Sequence, residues 1–406
     1  MMTAQEAIVM KESSQANFSI NILDPTRNCP AHPFVDHHLV ADFKDANALN
    51  RLSDISDVIT YEIELGNAEA LIKLQDNGAK IFPTPQTLRI IQDKFIQKKF
   101  LRSKGIPVTD FAEVSNAENL TKTARDFGFP VILKDRRDSY DGRGNYPSSN
   151  IEELRRSYET LERSHRSLML EKFVPFEKEV SVIAARGFHG NVRTFPVGEN
   201  IHAESILKMT IMPARIRDAV AYKATMIARE VVDAFKDIGV FGVEMFVVDG
   251  NVLVNEVAPR VHNTGHGTLE HDAFSTSQFE QHLRAISGLP LGNTAMMRPV
   301  VMHNILGEDN GFSGSYKILG EEEVSMIPGA HLHLYGKEEV RPKRKMGHIS
   351  IVGGENFKTQ EGGESEPALY ARYGENPDRT YDISSLPILI ARAEQARRLL
   401  QFVPVG

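Results

Sequence analysis

A β-hairpin is predicted between residues 239 and 257, and it restricts the fold more than any other segment. Two runs rich in β-branched and aromatic residues flank Asp249-Gly250-Asn251, which is typical of antiparallel strands joined by a tight turn. The chain therefore contains a sheet with antiparallel neighbours, whatever surrounds it.

The loop length decides which side chains face each other across this hairpin. A two-residue loop sets Glu244 opposite Asn255, whereas a three-residue loop sets Glu244 opposite Glu256 on one face. Asn251 can close the three-residue loop because Asn tolerates a left-handed backbone.

Glu244 and Glu256 are candidate metal ligands. Two carboxylates opposite each other on a sheet repel, and one shifts towards protonation unless a cation lies between them. Mg²⁺ suits this position because it takes hard oxygen ligands, few of them from protein, and Asn255 adds an uncharged oxygen. In the alternative interpretation, one of the two glutamates points to solvent.

The pattern of elements predicts an α/β (α+β) protein of three domains. Apolar runs at 19–24, 37–41 and 57–61 alternate with a helical pattern, which indicates a parallel sheet. Residues 85–104 are predicted to form one helical stretch. Later strands are expected at 129–134 and 168–173, with a hairpin over 179–197, and helices at 219–238 and 386–402. The predicted domains are 1–105, 106–300 and 301–406.

Composition excludes several classes of function. The 406 residues carry a net charge of −7, so neither a nucleic acid nor an anionic membrane has electrostatic support as a partner. One cysteine, Cys29, excludes a disulfide framework and a cysteine-rich zinc site. No apolar run approaches the roughly 20 residues that span a bilayer. We therefore expect a cytoplasmic protein.

Three polar segments follow predicted strands and are candidates for binding phosphates or a charged substrate. Lys134 precedes a small polar loop, 139–145, whose backbone can approach phosphates. Glu171–Val174 and Glu179 offer a carboxylate for a ribose. Arg260 to His266 is dense in polar groups, and 341–345 is a basic run that can hold a phosphate. Taken singly, each also fits an ordinary turn or a solvated surface.

Together these segments resemble the ATP-grasp enzymes, and specifically N5-carboxyaminoimidazole ribonucleotide synthase. The sequence of these segments is most similar to the N-terminal part of the fungal phosphoribosylaminoimidazole carboxylases. The segments that carry the resemblance are Thr60-Tyr-Glu-Ile-Glu64, Gln92-Asp-Lys94, the loop 140–146, Asn255 to His266, Thr276-Ser-Gln-Phe-Glu280 and Arg344-Lys-Met-Gly-His348.

The resemblance implies an ATP-grasp domain after an N-terminal parallel α/β (pre-ATP-grasp) domain, with a small β-rich C-terminal domain. It implies ATP, Mg²⁺ and bicarbonate as reactants, and the carboxylation of aminoimidazole ribonucleotide (AIR) through carboxyphosphate in purine biosynthesis. In this family the activity is that of a ligase, and the fungal relatives are named as carboxylases (lyases). A homodimer is implied, as is a mutase domain or partner that acts on the product.

The resemblance also implies roles for individual residues. Nucleotide contacts are expected from Lys94, Lys134, Ser139, Tyr140, Gly142, Gly144, Asn145, Glu171, Lys172, Phe173, Val174, Glu179, His202, Asn255 and Glu256. AIR contacts are expected from Glu62, Tyr140, Asp141, Arg143, Arg260, His262, Asn263, Lys337 and Arg344. Asp141, Arg143, Arg260 and His262 are the expected catalytic residues, and Glu244 and Glu256 the metal ligands.

Some positions depart from the family pattern. The first strand of the N-terminal sheet and its glycine loop are expected to be missing, and the chain is expected to be a fragment. Val261 stands where the family has Pro, and Gly267 where it has Tyr. The alternatives are therefore another ATP-grasp ligase, or a nucleotide-binding remnant with an impaired substrate site.

Overall fold

The structure, a computed structural model, describes residues 18–137, 144–162, 167–354 and 383–405. Within these ranges the chain forms four sheets. None of the described helices has the length and apolar character that crossing a bilayer demands.

The N-terminal region is a small parallel α/β unit. Its strands β1 and β2 pair in parallel, as predicted. The third predicted strand, 57–61, is reduced to one parallel bridge between Ile59 and Ile81. The elements are β1 (Asn21–Leu23), β2 (His37–Leu39), α1 (Ala46–Asp54), α2 (Ala68–Asp76), α3 (Pro85–Ile91) and α4 (Lys94–Ser103).

The predicted single helix over 85–104 is wrong, because the chain breaks it at Asp93. The Asp93 carboxylate accepts hydrogen bonds from the backbone N–H groups of Phe95 and Ile96 and so begins α4. The same buried carboxylate receives two hydrogen bonds from Arg136, at 3.0 and 2.8 Å. The apolar periodicity continues across this point, so it does not reveal the break.

A four-stranded antiparallel sheet follows, in the order β3-β6-β4-β5, and carries two helices. Leu120, Leu133, Leu154 and Leu170 are buried between this sheet and its helices. The elements are β3 (Phe111–Val114), α5 (Ala117–Phe127), β4 (Val131–Asp135), β5 (Asn145–Ser148), α6 (Ile151–Glu162) and β6 (Leu168–Lys172).

The largest sheet joins the second and third predicted domains. Its order is β12-β11-β7-β9-β10-β13-β17-β15, with β8 paired to β7. Because β10 pairs with β13, the sheet runs through the predicted boundary at residue 300. Its strands are β7 (Lys178–Arg186), β8 (Val192–Thr194), β9 (Gly198–Ala203), β10 (Ile206–Met212), β11 (Gly239–Val248), β12 (Asn251–Ala258), β13 (Val300–Leu306), β15 (Ala330–Leu334) and β17 (Lys345–Val352).

The remaining elements cover this sheet or extend its edge. Ala228, Val231 and Val232 on α7 belong to the same buried cluster as Val243 and Val254 of the hairpin. The elements are α7 (Asp218–Phe235), α8 (Gln278–Ile286), β14 (Gly314–Leu319), α9 (Glu321–Ser325), β16 (Glu339–Val340), α10 (Leu386–Leu399) and β18 (Gln401–Pro404), with 3-10 turns at His32–Phe34, Asn263–Leu269 and Ile383–Ser385.

Replacing Asp93 with Ala tests the break between α3 and α4. The substitution removes a helix cap and leaves the mostly buried Arg136 with the exposed Glu113 as its carboxylate partner, so we expect a loss of about 2–3 kcal/mol in the free energy of unfolding. Asp45→Ala is the matched control, because Asp45 caps α1 in the same way but is exposed; it costs about 1 kcal/mol. Urea denaturation followed by circular dichroism measures both. Equal losses contradict the assignment.

Candidate functional site

The β11–β12 hairpin brings Glu244 and Glu256 opposite each other, by a route that differs from the predicted one. Val248 pairs with Asn251, so the loop has two residues and not three. Asp249 and Gly250 have φ angles of 48° and 72°, as a type I′ turn requires.

A β-bulge restores the pairing of the two carboxylates. The register changes from Met245 opposite Val254 to Glu244 opposite Glu256, so Asn255 is the extra residue. A bulge re-aims the side chains beyond it and is common beside functional sites. The Asp-Gly pair in the sequence indicates the two-residue turn, but nothing in the composition of the strand indicates the bulge.

The two carboxylates have opposite electrostatic surroundings. Burial, with the nearby charges of Glu179 and Glu256, raises the pKa of Glu244 to about 8. Burial alone would raise the pKa of Glu256 too, but Lys94 holds it below its ordinary value through a contact of 2.6 Å between Lys94 Nζ and Glu256 Oε2. At neutral pH the pair therefore shares one negative charge unless a cation joins it.

Two histidines complete this cluster. His262 Nε2 lies 3.5 Å from Glu244 Oε1, and His202 Nδ1 lies 3.1 Å from Glu179 Oε2. Burial lowers the pKa of His202, but the bond to Glu179 raises it overall. The predicted nucleotide residues Lys94, Glu179, His202 and Glu256 thus lie together with the predicted metal ligand Glu244.

A second charged centre surrounds Glu171. Its carboxylate lies 2.8 Å from Lys134 Nζ and 3.2 Å from Lys98 Nζ, and Lys98 also donates to Thr109. Burial would raise the pKa of Glu171, but the two lysines lower it to about 2. Glu171 is therefore paired with two lysines of the protein, whereas Glu179 contacts His202.

Lys98 is a charged residue that the sequence analysis did not single out. Burial lowers its pKa to about 8 despite the attraction of Glu171. It lies one helical turn after Lys94 on α4, so the i,i+4 spacing of the two lysines was the available signal. The backbone N–H groups of Lys172 and Phe173 donate to Asp110 and Pro130, which fixes the strand end where Val174 follows.

The loop from Arg260 to His266 is held by one side chain of α8. Gln278 accepts a hydrogen bond from the backbone N–H of His262 and donates one to its carbonyl, both at 2.8 Å. It also contacts His266 Nδ1 at 3.3 Å. Because Gln278 bonds both backbone groups of His262, it fixes the position of that imidazole relative to Glu244.

Two glycines allow this close packing. A Cβ atom on Gly242 would lie 2.6 Å from the Cβ of His262, and one on Gly265 would lie 2.5 Å from Gln278 Oε1. Only glycine leaves the required space at these positions.

The loop presents a cation, a neutral imidazole and an amide. Arg260 Nε lies 2.8 Å from Glu64 Oε1. Burial, together with the charges of Arg260 and Lys345, holds the pKa of His262 well below its usual value, so the ring is neutral. Asn263 Nδ2 is buried and has no hydrogen-bond partner within the described part of the chain.

The basic run adds one residue, Lys345, to those predicted. Lys337 Nζ donates to the carbonyl of Lys345 and Arg344 to that of Glu339, both at 2.6 Å. Lys345 is the residue whose charge opposes protonation of His202, His262 and His266. The sequence identified the run, but not which member faces the histidines.

The remaining predicted residues lie elsewhere. Glu62 borders a cavity of about 480 Å³ between the N-terminal strands and α8. Gly144 precedes β5 and accepts a hydrogen bond from the backbone N–H of Asp135, and Asn145, the first residue of β5, pairs with Lys134. Ser139, Tyr140, Asp141, Gly142 and Arg143 lie outside the described residues.

Comparison with known protein families gives three matches along the chain. Residues 4–92 match the ribonucleotide synthetase preATP-grasp domain, and residues 99–279 the ATP-grasp domain. Residues 300–361 match the phosphoribosylaminoimidazole carboxylase C-terminal domain.

Individual proteins show the same similarity. The chain is 37% identical over 341 residues to the N5-carboxyaminoimidazole ribonucleotide synthase of Bacillus subtilis, covering 84% of this chain and 87% of that protein. It is 39% identical to the phosphoribosylaminoimidazole carboxylase of Ogataea methanolica, but spans only 64% of its length. A crystal structure of N5-carboxyaminoimidazole synthase from Aspergillus clavatus with ADP and 5-aminoimidazole ribonucleotide matches with a TM-score of 0.77 and 33% identity, covering 87% of this chain and 92% of that one.

Replacing Glu244 with Gln tests the electrostatics of the carboxylate pair. A pKa raised from 4.5 to about 8 means that the folded state favours the protonated form. The contribution of protonated Glu244 to the stability of the folded state is complete below pH 4.5 and is lost as the pH rises towards 8. Gln mimics the protonated acid. In a metal-chelating buffer at pH 8, we therefore expect the free energy of unfolding of Glu244→Gln to be about 1–3 kcal/mol larger than that of the unsubstituted protein.

The difference between the two proteins should shrink as the pH falls to 4.5. Glu69→Gln, which changes an exposed carboxylate, is the control and should show no such pH dependence. The raised pKa is contradicted if the stability advantage of Glu244→Gln over the unsubstituted protein is smaller at pH 8 than at pH 5.

Proposed function

The chain belongs to the N5-carboxyaminoimidazole ribonucleotide synthase family, and we propose that it performs the family's reaction, the ATP- and bicarbonate-dependent carboxylation of AIR in purine biosynthesis. The observation that carries the proposal is the meeting of the Glu244–Glu256 pair with the His262 loop at a distance of 3.5 Å. A nucleotide site and a substrate loop thus share one cleft.

The reaction has two steps. A bicarbonate oxygen attacks the γ-phosphorus of ATP, which releases ADP and forms carboxyphosphate. The exocyclic nitrogen of AIR then attacks the carboxyl carbon of carboxyphosphate and displaces phosphate. Alternatively, carboxyphosphate first breaks down to phosphate and CO₂, and the nitrogen attacks CO₂. Phosphoryl transfer of this kind depends on positioning and charge neutralisation more than on covalent catalysis by the protein.

Mg²⁺ fits the carboxylate pair. Glu244 and Glu256 supply hard oxygen ligands and Asn255 an uncharged one, and the raised pKa of Glu244 is relieved when a cation is present. When bound, Mg²⁺ neutralises phosphate charge and orients the phosphate oxygens. We propose that Lys94 and Lys134 neutralise further phosphate oxygens, and that the loop 139–145 binds them through its backbone.

The carboxyl acceptor is bound at the His262 loop. Arg260 and the buried amide of Asn263 are suited to polar groups of AIR, and Glu62, Lys337 and Arg344 are proposed for its ribose and phosphate. The neutral His262 can accept the proton that the amine loses when its nitrogen bonds carbon. Tyr140, Asp141 and Arg143 are proposed partners from the loop before β5.

Domain organisation and assembly follow the family in this proposal. The domains are 1–105, 106–300 and 301–406, and two chains form a dimer. A mutase domain or partner then acts on the product.

An assay of ADP release tests the proposal. With ATP, Mg²⁺ and bicarbonate present, we expect AIR to stimulate ADP release at least about tenfold, and ¹³C from labelled bicarbonate to appear on the exocyclic nitrogen of AIR. Glycinamide ribonucleotide with formate is the control for another ATP-grasp ligase and should give no stimulation. Nucleotide binding without AIR-stimulated turnover contradicts the proposal and favours a remnant that binds nucleotide only.

A further inference from the structure

A group of three side chains lies apart from the carboxylate pair, at the junction of the C-terminal strands with the segment after the His262 loop. His333 on β15 and His348 on β17 are directly paired across neighbouring antiparallel strands, so their side chains share one face of the sheet. Their rings stack with centroids 4.5 Å apart. Glu270 follows the 3-10 turn Asn263–Leu269 and faces them from the other segment.

The potential ligand atoms of these residues converge. One atom from each of Glu270, His333 and His348 lies within 4.8 Å of the others, and His333 Nε2 is 2.8 Å from Glu270 Oε1. Ligands of a tetrahedral Zn²⁺ ion, at about 2.0–2.2 Å from the metal, are separated by about 3.3 Å. Small side-chain rotations therefore suffice to reach that geometry.

One ring nitrogen of the group is buried without a hydrogen bond to any described residue. His348 is 1% exposed, and its Nε2 has no hydrogen-bond partner among the described residues. Its other ring nitrogen, Nδ1, is 3.0 Å from the Tyr335 hydroxyl. In a histidine that binds a metal through one ring nitrogen, the other ring nitrogen is usually fixed by a hydrogen bond, as Nδ1 is here.

The charges of the group suit a cation. Glu270 supplies a carboxylate oxygen, which already contacts His333. Both imidazoles bind a metal in their neutral form, which is the form that metal binding selects. His331 Nδ1 lies 3.3 Å from the second oxygen of Glu270 and can orient that carboxylate.

We propose that Glu270, His333 and His348 form a binding site for a divalent transition-metal ion of the Zn²⁺ class. Two imidazole nitrogens and one carboxylate oxygen select such an ion over Mg²⁺, which prefers oxygen ligands only. The ion links β15 and β17 to the segment that continues the His262 loop, so it fixes this loop against the C-terminal strands. The site is separate from Glu244 and Glu256.

Zinc binding to the protein without nucleotide tests the proposal. After treatment with a chelator and its removal, equilibrium dialysis against Zn²⁺ with metal analysis should find one equivalent that survives 5–10 mM Mg²⁺ (roughly a physiological excess). His348→Asn should weaken this binding at least about 100-fold. His303→Asn is the matched control, because His303 is also a buried histidine of the same sheet but lies outside the group; its binding should be unchanged.

Further variants separate this site from the carboxylate pair. Glu256→Gln should leave the Zn²⁺ equivalent in place, and Co²⁺ should give the strong visible absorption of a tetrahedral site that His348→Asn loses. If His348→Asn does not fold by circular dichroism, His333→Asn, which changes a less buried ring, takes its place. Binding that is absent in the unsubstituted protein, unchanged in these histidine variants, or lost in Glu256→Gln overturns the proposal.

Discussion

The repulsion between Glu244 and Glu256 is the constraint on which the rest of the site depends. The two carboxylates face each other on neighbouring strands, and Lys94 makes a direct ion pair with one of them, Glu256. Glu244 therefore remains partly protonated in the absence of a metal. A site built in this way is unstable alone and is completed by its ligand, which is common where function and stability conflict.

The loop from Arg260 to His266 also depends on this hairpin. Gly242 on β11 leaves room for the ring of His262, and Gln278 on α8 bonds both backbone groups of that histidine. The carboxylates of the hairpin and the imidazole of His262 are thus placed relative to each other by strand, helix and loop together. A small shift of α8 would move His262 away from Glu244.

Sequence patterns predicted the fold class and most strands, because alternating apolar residues report directly which segments are buried. They failed where one side chain overrides the local pattern. The helix break at Asp93 comes from its bonds to Arg136, a residue 43 positions away. The bulge at Asn255 comes from the pairing of β11 with β12. Neither contact is visible in local periodicity.

The candidate residues came mainly from family resemblance, since spacing alone left Glu244 and Glu256 as one of two possibilities. The structure adds Lys98 and Lys345, which act through charge on groups distant in sequence. Lys98 shares Glu171 with Lys134, and Lys345 opposes protonation of His262. Long-range charge of this kind depends on the tertiary fold, so a motif does not reveal it.

The most direct test is turnover of Glu256→Gln, measured as ADP release that depends on both AIR and bicarbonate. We expect turnover to fall at least about 100-fold with the fold retained, because Glu256, which is both a proposed metal ligand and the partner of Lys94, loses its charge. Glu69→Gln, an exposed carboxylate, should turn over normally. Turnover of Glu256→Gln within a few-fold of the unsubstituted protein would contradict the role assigned to the carboxylate pair.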